Sequence, residues 1–310
     1  MTDSAQIPDL VFCAECSRLV GEQVFGTAPR VDVWIMLEYT GPWNAKALPQ
    51  SDLPAEIKAH IDGWTSRMPN NKFQFVKQQD SKATPDCTLF VALTREQDPR
   101  LFEFRLERYA DLLALDVPRV AAEPDAYEAH RRKTPLFTVC TNGRRDVSCS
   151  KYGIPVYAEA QRVAGEMVWQ STHLGGHRFA ANLVCFPYGV VYGHVDADDV
   201  EEIVAESVAG RVVTGRLRGR SCYDAPVQAA DYYLRGVAGI DDLLGVQLAS
   251  VESDGAQAWT VRFVTPPDGA RHAVRLGSRT SEWTVYESTG DAERKPMPQF
   301  HFVGHEVEKG

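Results

Sequence analysis

Residues 31–38, VDVWIMLE, are dense in β-branched and aromatic side chains, the pattern of a buried strand. The run breaks at Tyr39-Thr40-Gly41-Pro42-Trp43, and Pro54 opens a predicted helix through Trp64, where proline suits the first turn. KFQFV (72–76), Cys87–Thr94 and Leu101–Leu106 then read as strands. The same order returns downstream. Leu136–Cys140 reads as a strand. From Ile154 to Trp169, Val156, Ala160, Val163, Ala164, Met167 and Val168 recur at helical spacing. Phe179–Phe186 and Val190–Val195 read as strands around the turn Pro187-Tyr188-Gly189, and Asp196 caps a further helix. A β-α-β-β order written twice limits the chain to a mixed α/β (α+β) fold built from two like units.

Each unit resembles thioredoxin in its element order. The composition changes near residue 123, where Glu123-Pro124-Asp125 is followed by the basic run His130-Arg131-Arg132-Lys133. The boundaries fall at 1–125 for an N-terminal thioredoxin-like unit, 126–236 for a second, and 237–310 for a small β-rich C-terminal region. WTVRFV (259–264), HAVRL (272–276) and EWTVYE (282–287) suggest strands in that last region, which shows no recognisable chemistry.

Charge narrows the function. The 310 residues hold 33 Lys and Arg against 42 Asp and Glu, a net charge of −9. Such a chain is repelled by nucleic acid and by anionic lipid, so neither is an expected partner. Apolar runs such as Val33–Leu37 are far shorter than a membrane span, and MTDSAQIPDL lacks the basic and apolar regions of a signal peptide. The expected location is the cytoplasm. An odd count of seven cysteines there argues against a disulfide framework and for metal ligands or redox thiols.

Cys140 and Cys149 stand eight residues apart in CTNGRRDVSC, and His173-Leu174-Gly175-Gly176-His177 follows after one helix. The predicted topology brings all four side chains to one end of a sheet. Two thiolates and two imidazoles make a full ligand set for tetrahedral zinc or for a 2Fe–2S cluster. The eight-residue gap exceeds the two to four usual in structural zinc sites, which favours iron–sulfur.

HLGGHRFAANLVCFPYGVVYGHV, Cys140-x8-Cys149 and the later RGRSCYDAPVQAA resemble the sucrase/ferredoxin-like family over roughly residues 10–235. The resemblance implies a thioredoxin-like ferredoxin of the bis-histidinyl type, with a 2Fe–2S cluster held by Cys140, Cys149, His173 and His177. It implies electron transport rather than substrate transformation. If His173 and His177 ligate iron, each keeps one ring nitrogen free to carry a proton, so reduction is expected to recruit a proton. No pair of carboxylates stands out in a sugar-cleaving setting. Two rival readings remain: a structural Cys2His2 zinc protein, and a thiol oxidoreductase using Cys13 and Cys16, although that pair precedes the first predicted strand. Cys87 and Cys185 fall in strand patterns as packing residues. Arg216, Arg218 and Arg220, with Arg211 nearby, form a basic run in an acidic chain and suggest a dock for an acidic redox partner protein.

Overall fold

The computed structural model describes residues 12–79, 81, 85–255, 257–266 and 268–308. The elements run α1 (Cys13–Leu19), β1 (Val33–Glu38), α2 (Ala55–Ser66), β2 (Asn71–Lys77), β3 (Cys87–Leu93), β4 (Arg100–Leu106), α3 (Val117–Ala122) and β5 (Leu136–Cys140). They continue with α4 (Val147–Ala164), β6 (Val168–Ser171), β7 (Leu183–Phe186), β8 (Val190–Tyr192), α5 (Val200–Val208), β9 (Leu217–Arg220) and α6 (Ala225–Ala238). Last come β10 (Gln247–Ser253), β11 (Ala258–Thr265), β12 (Ala270–Val285) and β13 (Lys295–Glu308).

Nine strands form one sheet in the order β4-β3-β1-β2-β6-β5-β7-β8-β9. Its halves repeat one pattern. β1 pairs parallel with β2 and antiparallel with β3, which pairs antiparallel with β4. β5 pairs parallel with β6 and antiparallel with β7, which pairs antiparallel with β8. The 2-1-3-4 order of each half makes the fold α/β with two thioredoxin-like units. The halves meet where β2 pairs antiparallel with β6 through Val76↔Ser171 and Lys77↔Gln170.

The strand at that seam is missed by the sequence pattern. The apolar periodicity extends the helix to Trp169, but α4 ends at Ala164, Gly165 takes a positive φ of 52°, and Val168–Ser171 pairs in the sheet. Val168 and Trp169 continue the helical phase by coincidence, and four residues are too few for a period of two to declare itself. The predicted strand Phe179–Phe186 likewise shortens to Leu183–Phe186, because His177–Phe179 form a short 3₁₀ turn. In the C-terminal region HAVRL and the EWTV of EWTVYE belong to the single long β12, and β10, β11 and β13 complete a four-stranded antiparallel sheet.

Both faces of the large sheet are covered, which explains the unbroken apolar strands. Val33, Ile35 and Leu37 of β1 pack with Ile57, Ile61 and Trp64 of α2. Phe137 and Val139 of β5 pack with Val156, Tyr157 and Ala160 of α4. The alternate residues, Trp34 and Met36 of β1 and Leu136 and Cys140 of β5, share one core on the other face. Helix α6 packs Val227, Ala230 and Leu234 against Val261, Phe263 and Val274 of the C-terminal sheet. Among the described residues no helix is long and apolar enough to cross a membrane.

Candidate metal centre

The centre assembles from three local features. Strand alternation turns Phe137 and Val139 toward α4, so Cys140, at the strand end, lies on the opposite face with Leu136. The chain then turns through 141–146 to Asp146, the N-cap of α4, whose carboxylate accepts from Ser148 N at 2.8 Å. Cys149 thereby falls in the first turn of an eighteen-residue helix. Gly153, one turn on, has no room for a side chain, because a Cβ would collide with the Cys140 carbonyl. This close approach brings the helix start to the strand end.

The third feature is the loop after β6. Gly175 and Gly176 take positive φ of 106° and 69°, a conformation that favours glycine, and a Cβ on Gly176 would strike the Arg218 guanidinium. Arg218 holds this loop: it donates to Gly175 O at 2.8 Å and to Asn182 Oδ1 at 2.7 Å. Asn182 Nδ2 in turn donates to Gly176 O at 2.9 Å.

Ligand atoms of Cys140, Cys149 and His173 all lie within 4.8 Å of one another. Cys149 Sγ is 3.9 Å from His173 Nδ1, and the His173 and His177 rings are 5.0 Å apart, centre to centre. His177 is buried; its Nε2 lies 2.9 Å from Ser288 Oγ, while its Nδ1 has no hydrogen-bond partner among the described residues. A hydrogen bond from the Cys149 thiol pulls Cys140 well below the usual thiol range against the effect of burial, and His173 adds to the pull. The same contact with Cys140, and burial, push Cys149 up. Burial pushes the His177 pKa down, with Asp146 in partial opposition.

Asp146 was not singled out by the sequence, yet it ties the centre to the far end of the chain. Its Oδ1 accepts from Ser148 N and from Thr289 Oγ1 (2.9 Å), and its Oδ2 from Thr289 N at 2.8 Å. Burial alone would raise this carboxyl; the N–H groups of Thr289 and Ser148 and the nearby His177 outweigh it and hold the pKa low. Cys13, Asp146 and His177 also cluster within 4.8 Å. Both carboxylate oxygens already accept hydrogen bonds; Cys13 Sγ stands 3.6 Å from Oδ1 and His177 Nε2 3.8 Å from Oδ2. The turn after β12 thus supplies Ser288 to His177 and Thr289 to Asp146, so the C-terminal region does bear on the site. Asp146 had a visible signal, an N-cap residue just before a helical run. Ser288 and Thr289 had none, because more than a hundred residues separate them from their partners.

One rival reading and one expectation do not fit the structure. Cys13 and Cys16 lie in α1, both fully buried, and burial pushes the Cys13 thiol up to about 11. An attacking dithiol needs access and a lowered pKa, and this pair has neither. The basic run is not an open patch. Arg218 and Arg220 are 2% and 1% exposed. Arg220 is spent on Glu96 O and Tyr223 Oη, while Arg216 is paired with Asp196 and Asp199. Strand β9 turns these side chains into the sheet's surroundings, which a count of charges along the sequence does not reveal.

The fold and the grouping of thiols and imidazoles define an α/β protein with a buried Cys/His cluster between a strand end, a helix start and a glycine loop. The chain belongs to the sucrase/ferredoxin-like family, whose model matches residues 24–219. Two curated relatives are similar in sequence, both called altered inheritance of mitochondria protein 32. That of Meyerozyma guilliermondii is 34% identical over 148 residues, 43% of this chain and 50% of its own length. That of Clavispora lusitaniae is 30% identical over 95 residues, 28% of this chain and 35% of its own length. The chain therefore spans half or less of these relatives. A solved structure of a thioredoxin-like [2Fe-2S] ferredoxin from Aquifex aeolicus matches at 17% identity and a TM-score of 0.26, covering 29% of this chain and 94% of that one.

Proposed function

We propose that this protein carries electrons through a 2Fe–2S cluster held by Cys140, Cys149, His173 and His177. The observation that carries the reading is the convergence of Cys140, Cys149 and His173 within 4.8 Å beside a buried His177 whose Nδ1 has no partner among the described residues. A buried, unpaired polar atom costs about 1–3 kcal/mol, and a bound metal would offset that cost. The donor set of two thiols and two imidazoles fits such a cluster, and His173 Nδ1 is the ring nitrogen near sulfur.

When bound, the cluster would supply one-electron redox chemistry. The chain's own residues do the rest. Asp146 caps α4 and so sets the position of Cys149, and the Arg218–Asn182 pair fixes the loop of both histidines. Ser288 faces His177 Nε2, the nitrogen left to hold a proton when Nδ1 is a ligand. Added negative charge at the centre favours that proton, so the potential is expected to fall as pH rises, by about 59 mV per unit for one proton per electron. Voltammetry across mildly acidic to alkaline pH checks this, and a flat line overturns histidine ligation. The primary test is a visible spectrum with iron and sulfide analysis of anaerobically purified protein. Colourless protein holding one zinc would replace the reading with a structural zinc site.

A further inference from the structure

The arginines that looked like a docking patch are buried or paired, but three other cations stand beside the cysteine loop without a carboxylate partner among the described residues. Arg144 and Arg145, in the loop between the two cysteines, are exposed. Lys77, at the end of β2, is half-buried with its ammonium 4.5 Å from the centre of the Trp43 ring. None of these three pairs with a carboxylate among the described residues, whereas Arg18, Arg178, Arg211 and Arg216 all do. Trp43, Lys77, Thr141, Asn142, Arg144 and Gln170 line one open groove against the cysteine loop. The other flank differs in sign: beside His177, Lys295 is paired with Glu287 and Arg178 with Glu22, which leaves Asp291 and Glu293 without a cationic partner among the described residues.

We propose that Lys77, Arg144 and Arg145 form the docking rim for an acidic protein that exchanges electrons with this one. The proposal rests on the electron-transfer reading and names the partner chemistry of that same centre. A net charge of −9 repels an acidic protein at a distance. Screening over about 8 Å at physiological salt leaves the local rim to decide the docked orientation. The acidic flank beside His177 makes that orientation one-sided, because a partner rotated the other way meets like charge. A free cation held next to the cysteine loop thus marks the side from which an electron enters or leaves.

The test uses small oxidants of opposite charge and an acidic polymer. Ferricyanide takes one electron from the reduced protein and becomes ferrocyanide; tris(phenanthroline)cobalt(III) takes one and becomes the cobalt(II) complex. In Arg144→Glu/Arg145→Glu, and separately in Lys77→Glu outside the cysteine loop, ferricyanide oxidation should slow about tenfold at low salt and lose its salt dependence. The cationic oxidant should speed up, and the visible spectrum should not change. Poly-L-glutamate should slow ferricyanide oxidation of the wild type and shift the fluorescence that a Trp43→Phe control removes, while phosphate at matched charge does neither. Equal salt curves for wild type and variants overturn the rim. Phosphate acting as well as the polymer overturns it in favour of a small-anion site, and sedimentation with phosphatidylserine vesicles without a polymer effect overturns it in favour of a membrane. Wild type without a visible chromophore ends the cluster reading instead, and the fluorescence titration still decides whether the rim binds an acidic chain.

Discussion

At the end of β5 stands Cys140; at the same place in the other half, by strand order and by the face it shares, stands Glu38 at the end of β1. Each looks toward the loop between the second and third strands of its half. Glu38 binds its loop with hydrogen bonds, accepting from Ser81 Oγ at 2.8 Å and from Thr88 N at 3.1 Å. Cys140 faces a loop that brings His173 instead. Around Glu38 the space is filled by aromatic packing: Tyr39 stacks on Phe75 with ring centres 4.4 Å apart, and Tyr109 donates to the Glu38 carbonyl at 3.1 Å. The helix starts differ as well, since α2 begins after Pro54 with no side-chain cap and α4 begins after Asp146 with one. One backbone pattern therefore serves as scaffold in the first half and gathers thiols and imidazoles, the proposed ligand cage, in the second, and a few side chains at the strand end decide which.

The sharpest way to break that comparison is to change the strand ends themselves. Cys140→Ser or Cys149→Ser should remove essentially all visible absorbance and bound iron, whereas Glu38→Gln should leave both intact. Full absorbance in Cys140→Ser, or its loss in Glu38→Gln, would mean the two ends have been assigned the wrong roles.

A smaller effect is expected where the cage leans on the C-terminal region. Asp146→Asn weakens a buried, charge-assisted network and should cost about 2–3 kcal/mol in denaturant unfolding. Because the folded pKa of Asp146 is lowered, its contribution is present above about pH 4 and is lost as pH falls through the folded value. The gap between wild type and variant should close at low pH. Thr289→Val should reproduce part of the loss; no change there would show that the C-terminal turn merely rests on the site.

His194 sharpens the contrast from another side. It is buried in the second half, with Nε2 3.0 Å from Ser17 Oγ of α1, and burial lowers its pKa to about 3. The unfolded chain takes up a proton near pH 6.5 that the folded chain refuses. Stability should therefore fall between about pH 6.5 and 3, by at most about 1.4 kcal/mol per pH unit from this group. His194→Gln should flatten that slope in urea titrations, and an unchanged slope would assign the pH dependence to other groups.

The smallest effect belongs to the scaffold half. Tyr39→Phe removes the hydroxyl that accepts from Asp52 N at 3.0 Å and should cost about 1 kcal/mol with no spectral change. A larger loss accompanied by fading colour would show that the first half also supports the centre.

The sequence by itself determined the strand and helix order of the first half and that of the second except for β6, and placed Cys140, Cys149 and the glycine-spaced histidines in one segment. These features are local: strand alternation, helix period and turn glycines act over a few residues, so they can be read in a line of letters. Tertiary structure alone decided three things. It set the seam between halves, because β6 is too short to show a period and is fixed by pairing with β2 and β5. It buried Arg218 and Arg220, because burial depends on what packs over a strand and not on the charge of its residues. And it brought Ser288 and Thr289 to His177 and Asp146, because a hydrogen bond between residues so far apart in the chain exists only once two sheets have packed together.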